Sequence, residues 1–295
     1  TPTPTPFTGL TPAPQYEAFQ ASLRALDRAE YQEALDLIDQ VLALDPEFAG
    51  AHYVRGEILR LSGSPREAIA AYDRAIGFQP DYPAAYLGSA RAQAMTDPPT
   101  IPSAFERAIE LDPQMVDAYI YSALYHSERR HFEKAEEILL SALEEGVSSP
   151  ELLINLSEAE YLLGKYESAL KHAVEGSAND PGSLKGYLVL GRSYTVLGYY
   201  HDAISPLQTF LAYEPEDHRA WAALGESYLN TGSPDLALQA FNTSLGFREY
   251  APAYHGRGDY QYQQGDFQAA LNDYFKARQF GPDSPLLTLS IGKSY

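Results

Sequence analysis

Cysteine is absent from the 295-residue chain, which excludes disulfides, thiol nucleophiles and cysteine-ligated metals. Basic residues are scarce: 21 Lys and Arg stand against 40 Asp and Glu, for a formal net charge of −19. Phosphate backbones are bound by clustered Lys and Arg, so nucleic acid is not the expected partner, and a neutral or basic protein or peptide fits better. The alternative is that the acidity serves only solubility. No run of about 18 apolar residues occurs, so no transmembrane helix is expected. Catalytic signatures are missing too. The seven histidines are scattered, and His126 and His131, the closest pair, are five residues apart and do not share a helix face. There is no glycine-rich phosphate loop, nucleophile elbow or metal-binding helix motif, so the chain is expected to be non-catalytic, with no cofactor and no metal site.

What is present is a long period. Ala34, Ala68, Ala135, Ala169, Ala203, Ala237 and Ala270 recur in one local phrase, at spacings of 33 or 34 residues with one double step. Pro46, Pro80, Pro113, Pro181, Pro215 and Pro282 run in phase with them. Two ladders of one period mark a stacked repeat array, in which each unit buries its apolar face against its neighbours. The prolines set repeats of 15–48, 49–82, 83–115, 116–149, 150–183, 184–217, 218–250 and 251–284, and residues 285–295 begin a ninth.

Within each repeat, apolar residues at three- and four-residue spacing on both sides of a turn predict two helices. Gly63, Gly164, Gly198, Gly232 and Gly265 all stand at position 15 of their repeats, where a left-handed residue can end the first helix. Ser64-Pro65-Arg66-Glu67 reads as a capping box opening the second helix, and Ser233-Pro234-Asp235 is a near copy.

These residues resemble the tetratricopeptide repeat, whose pattern places Trp at position 4, Leu-Gly at 7 and 8, Tyr at 11, Ala at 20, Phe at 24, Ala at 27 and Pro at 32. Repeat seven matches through Trp221, Leu224, Gly225, Tyr228, Ala237 and Phe241. Repeat six matches through Tyr187, Leu190, Gly191, Tyr194, Ala203, Leu207 and Pro215, and repeat two through Gly56, Ala68, Tyr72, Ala75 and Pro80. The resemblance covers residues 15–295 and implies an all-α, right-handed superhelical solenoid of antiparallel helix pairs. Repeats four and seven carry Val147 and Glu249 where the closing proline belongs, which is expected to loosen a turn.

Helical geometry sorts the faces. At 100° per residue, positions 4, 7, 8 and 11 of the first helix cluster on one side, and positions 2, 5, 6, 9, 12 and 13 on the other. The second set is rich in tyrosine and aliphatic residues where solvent alone would favour polar ones. The family resemblance implies that this side lines a concave groove binding extended or helical peptides. The candidate peptide-binding residues are Tyr53, Glu57, Arg91, Tyr121, Leu124, Asn155, Glu158, Tyr161, Leu188, Arg192, Glu226, Asp259 and Tyr262. The competing expectation is that about half of this side packs against the neighbouring first helix, 8 to 10 Å away.

Position 9 changes sign along the array: Glu57, Arg91, Leu124, Glu158, Arg192, Glu226, Asp259 and Lys293. One expectation is a ladder of inter-repeat ion pairs, Glu57 with Arg91 and Arg192 with Glu158 or Glu226. The other is that Arg91 and Arg192 grip a ligand carboxylate or carbonyl. The two-lysine, two-asparagine and arginine clamp of the chaperone-docking members has no counterpart here. The asparagine ladder of the members fused to a sugar transferase is reduced to Asn155, which can at most anchor a peptide backbone.

Three segments break the pattern. Met95 to Pro102 replaces the glycine turn of repeat three with three prolines, which should delay and shorten the second helix. Residues 1–14, TPTPTPFTGLTPAP, read as an extended Thr/Pro-rich linker, with a lean toward an extracytoplasmic or membrane-tethered module over a cytosolic tail. Residues 285–295 resemble the opening of another repeat more than a polar cap, so continuation of the chain or self-association through this helix is expected. The leading functional expectation is a protein-interaction module capturing a peptide segment or partner helix. The alternative is a structural spacer or self-assembly element of a larger protein.

Overall fold

The computed structural model describes residues 14–96, 101–282 and 285–294. Every regular element among them is an α-helix. By packing, the chain divides into two compact units, Thr1–Tyr125 and His126–Tyr295. The first holds α1 (Pro14–Asp27), α2 (Tyr31–Leu44), α3 (Ala49–Leu61), α4 (Pro65–Phe78), α5 (Pro83–Ala94), α6 (Ile101–Leu111) and most of α7 (Val116–Glu128). The second holds α8 (Phe132–Glu144), α9 (Pro150–Leu162), α10 (Tyr166–Asn179), α11 (Leu184–Val196), α12 (Tyr200–Tyr213), α13 (His218–Asn230), α14 (Pro234–Phe247), α15 (Ala251–Gln263), α16 (Phe267–Phe280) and α17 (Pro285–Lys293). The architecture is an all-α helical solenoid. Odd-numbered helices are the first members of the sequence repeats and even-numbered helices the second.

In the first unit α1, α3 and α5 touch in succession, with α2 and α4 each seated between two of them. In the second, α9, α11, α13 and α15 form the same kind of row, with α10, α12 and α14 behind it. The alanine ladder explains the close approach: all seven ladder alanines are fully buried. Aromatic side chains at position 24 wedge between backbones. A Cβ built on Gly56 or Gly88 would lie 2.6 or 2.5 Å from the Tyr72 ring, and one on Gly225 or Gly256 2.7 or 2.4 Å from Phe241. Glycine is therefore required there by contact with the ring.

The turn glycines Gly63, Gly164, Gly198, Gly232 and Gly265 all have φ between +77° and +85°. Each closes a Schellman motif, as where Gly63 N–H reaches Arg60 O and Ser64 N–H reaches Leu59 O. Ala29 (φ 57°) and Arg130 (φ 61°) occupy the same turn position in repeats one and four and make the same two bonds, at some steric cost to their Cβ atoms.

The capping-box expectation is corrected. Ser64 and Ser233 are N-cap residues without a side-chain cap bond. Their ψ of 64° follows from the tight turn, whereas Ser149 and Ser183, at ψ 159° and 105°, reach the N–H groups of Leu152 and Gly186. Asp266 caps at ψ 75°, because its carboxylate extends one atom further than a hydroxyl.

The proline ladder has a bonding partner. At position 4, His52 Nε2, Tyr86 Oη, Tyr119 Oη, Tyr187 Oη and Trp221 Nε1 donate to the carbonyls of Pro46, Pro80, Pro113, Pro181 and Pro215, at 2.8 to 3.2 Å. Where the proline is lost, the closure changes chemistry and no loosened turn results. Val147 is buried at 3% exposure and completes a Schellman motif, its N–H on Ala142 O behind Gly146 at φ +75°. Position 4 of the following repeat is then Leu153, a residue with no donor. At the other departure, the Tyr254 hydroxyl donates to the Glu249 carboxylate.

In repeat three, α6 has 11 residues where the other second helices have 13 or 14, in keeping with the proline-rich junction. Ile101, fully buried, takes the place of the ladder alanine. Residues 97–100 lie outside the described residues, as does the Thr/Pro-rich segment apart from Pro14, which begins α1.

Candidate functional site

Among the odd-helix side chains that helical geometry set opposite the core face, burial separates two groups. Positions 5 and 6 mostly pack between neighbouring first helices: Val54, Leu87, Ile120, Ile154, Leu188 and Val189 are all 7% exposed or less. Positions 9 and 13 stay accessible. Leu61 and Met95 in the first unit are 46% and 54% exposed, and Leu162 and Val196 in the second are 42% and 45% exposed. These four apolar side chains belong on the open face and are missing from the thirteen candidates. Their signal was the same helical period, obscured because buried position-5 residues share their hydrophobicity.

In the first unit, Arg91 on α5 lies over the ring of Tyr121 on α7, 4.1 Å from its centroid. Glu57 on α3 does not reach Arg91. It pairs with Arg60 at 2.6 Å and accepts the Tyr72 hydroxyl. Burial works to raise the Glu57 carboxyl, but the Arg60 and Tyr72 hydrogen bonds outweigh it and hold the group below the usual range. Tyr53 is half-buried against Tyr72 and Tyr82, and burial with the nearby Glu57 charge pushes its hydroxyl up to about 12. Leu124 is half-buried on α7.

In the second unit, Arg192 on α11 lies over Tyr161 on α9, 4.2 Å from the ring centroid. Burial raises the Tyr161 hydroxyl and the Arg192 charge offsets part of that. Glu158 is taken by Lys185, whose ammonium also donates to Asn155 Oδ1 at 2.8 Å. Asn155, itself 8% exposed, donates one of its two amide N–H groups to the Glu151 carbonyl at 2.8 Å. Leu188 is in the core with Ala203, Leu207 and Leu224. Asp259 on α15 accepts the Tyr274 hydroxyl at 2.8 Å, and Tyr262 packs its ring on Phe267 at 5.3 Å.

Glu226 on α13 has an exposed side chain and makes no ion pair among the described residues. Protein nevertheless crowds its carboxyl enough for desolvation, with Asp259 adding repulsion, to push it up to about 7.

The inter-repeat ion-pair ladder is therefore absent among the described residues. Neither Arg91 nor Arg192 bonds a carboxylate there, and each turns to an aromatic ring of a neighbouring first helix. A stacked guanidinium is held in place while some of its N–H groups remain available. No group of three or more His, Asp or Glu side chains among the described residues is placed to hold a metal, and no helix there is long and apolar enough to cross a membrane.

Comparison with known proteins agrees with this architecture. The chain matches the matched chain of the Cut9–Hcn1 hetero-tetramer of the APC/C with a TM-score of 0.60 at 15% identity, over 94% of its own length and 55% of the other's. It thus spans about half of that relative. PilW, described as a widely conserved type IV pilus biogenesis factor, is similar with a TM-score of 0.58 at 18% identity, over 68% of this chain and 94% of PilW. YrrB, described as a TPR protein with an unusual peptide-binding site, is similar with a TM-score of 0.53 at 16% identity, over 69% of this chain and 97% of YrrB. At these identities the likeness is one of fold. No curated protein sequence matches the chain. The tetratricopeptide repeat model matches residues 19–95, 122–183 and 188–253, more than half of the sequence. With its glycine turns, buried alanine ladder and proline closures in the places that pattern assigns, the chain belongs to the tetratricopeptide repeat family.

Proposed function

We propose that the odd-helix face of each unit is a docking surface that captures a peptide segment or partner helix from a neutral or basic protein, with no chemistry of its own. The fold is that of protein-interaction scaffolds, which supports the coarser role. The observation that carries the finer one is the pair of stacked arginines, Arg91 on Tyr121 and Arg192 on Tyr161, each free of carboxylates and accompanied by open aliphatic side chains at position 13. Aromatic and arginine side chains with accessible apolar neighbours are what hot spots are built from. YrrB, which shares the fold, is described as having a peptide-binding site.

The test is to pan a random dodecamer display library on the full chain and on a Leu162→Asp/Val196→Asp variant. Both positions are exposed, so the fold should survive. Enriched peptides that bind the wild type and lose the variant support the reading. Peptides indifferent both to it and to a Leu61→Asp/Met95→Asp variant of the first unit, or no enrichment, sink the reading.

A self-assembly role has one observation of its own. On α17, Leu287 is buried while Leu286 and Leu289 are 61% and 52% exposed. A solution mass that rises with concentration, and that Leu286→Asp returns to the monomer value, would favour assembly over capture.

A further inference from the structure

The open face of the second unit is electrically polarised. Some charges there are satisfied internally: Lys185 neutralises Glu158, and Arg219 pairs with Asp217 at 2.7 Å. Along position 9 the charges without an ion pair to Lys or Arg among the described residues are separated by helix, running from Arg192 on α11 through Glu226 on α13 and Asp259 on α15 to Lys293 on α17. Arg192 on α11 leans onto α9 and meets no carboxylate. Glu226 on α13 and Asp259 on α15 repel one another, and no Lys or Arg of the described residues bonds either. The His255 imidazole lies 3.9 Å from Asp259. Beside this column lie the accessible Leu162 and Val196.

We infer that the peptide held by this face is a mixed-charge segment, with a Lys or Arg side chain over Glu226 and Asp259, a carboxylate at Arg192, and an apolar side chain on Leu162 and Val196. This rests on the docking role proposed above. Charge complementarity sets the order. An ammonium between Glu226 and Asp259 relieves a like-charge repulsion that the free protein carries, so the interaction is gained on binding. A carboxylate meets Arg192 already oriented by Tyr161. Spacing follows from the architecture. Neighbouring helices are about 8 to 10 Å apart, so the space between α13 and α15 lies about 12 to 15 Å from α11; an extended chain advances about 3.3 Å per residue, and the basic and acidic residues of the peptide stand roughly four residues apart. The acidic pair alone would leave the occupant undefined; the opposed arginine and the apolar pair make it a peptide and not a free cation.

The test uses the dodecamers enriched on the full chain, the most enriched being synthesised with a fluorescein label and titrated by fluorescence anisotropy. Enriched sequences are expected to carry Lys or Arg about four or five residues from Asp or Glu. Glu226→Lys should weaken the synthetic peptide about tenfold, and exchanging that peptide's Lys for Glu should restore binding to the Glu226→Lys variant. Asp259→Asn, which keeps an acceptor for Tyr274, should weaken it in the same direction. Peptides that depend on Leu162 and Val196 yet are uniformly acidic or neutral, or are unmoved by Glu226→Lys, overturn the charge order and leave the docking role standing. No enriched peptide that depends on Leu162 and Val196 overturns this inference, and if none depends on Leu61 and Met95 either, the docking role falls with it.

Discussion

Trp221 donates its indole N–H to the main-chain carbonyl of Pro215 across 2.8 Å, tying the start of α13 to the loop that closes the preceding repeat. Four other repeats make the bond with His or Tyr, so the position-4 and proline ladders are two halves of one interaction. Trp221→Phe should lower stability by about 1 kcal/mol, the net worth of a hydrogen bond plus a little apolar contact. Urea denaturation of the full chain measures it; no change would mean the bond is idle.

Phe241 lies against both Gly225 and Gly256, and Tyr72 against Gly56 and Gly88. Gly256→Ala and Gly88→Ala should each cost about 1 to 3 kcal/mol, because a methyl group has no room unless a wedged ring or a helix shifts. Ala169→Leu or Ala203→Leu, at fully buried helix crossings, should cost a similar amount for the same reason. Unchanged thermal melts would contradict this packing.

Arg130 and Ala29 hold left-handed turn positions that glycine fills in five other repeats. Arg130→Gly and Ala29→Gly should therefore stabilise the protein, each by about 1 kcal/mol, since the Cβ strain of a left-handed residue disappears. A lower melting temperature in both variants would show that these side chains contribute more than the strain they impose.

Glu226 has a carboxyl raised to about 7 by desolvation and by Asp259. The group binds its proton more tightly folded than unfolded, so its ionisation opposes folding. The penalty is absent below the unfolded value near 4.5, grows as pH rises and is complete above about 7. Glu226→Gln should match the wild type near pH 4 and exceed it at pH 8 by about 1 kcal/mol, a figure reduced for the exposed edge of the side chain. Parallel melting curves at the two pH values test it; a constant difference would place the carboxyl at its ordinary value.

Arg192→Leu removes a stacking contact worth about 0.5 to 1 kcal/mol at an accessible site. Since Arg192 pairs with no carboxylate, the loss in stability should stay within that range while peptide binding falls about tenfold. A large stability loss with binding intact would make Arg192 a structural residue.

Much of this architecture was legible because its causes are short-ranged. Gly63 and Gly265 mark their turns by what backbone a glycine alone adopts easily, and Ala203 marks a crossing because only a small side chain fits. Val147 and Ser64 show where such reading stops. The missing proline at 147 suggested a loose turn, but a buried valine behind Gly146 closes it. The serine at 64 suggested a cap, but the ψ set by the turn carries its hydroxyl out of reach.

The candidate face divides along the same line. The sequence by itself determined the repeat, the helix pairs and which side of each first helix faces away from the core, since all three follow from a fixed period and the 100° step of a helix. Only the tertiary structure decided that Leu188 and Asn155 are enclosed while Leu162, Val196 and Glu226 stay open, because that depends on how closely neighbouring helices approach. It also decided that Arg192 rests on Tyr161 and not on Glu158. A long guanidinium can reach either, and the choice went to the ring within 4.2 Å once Lys185 had taken the carboxylate.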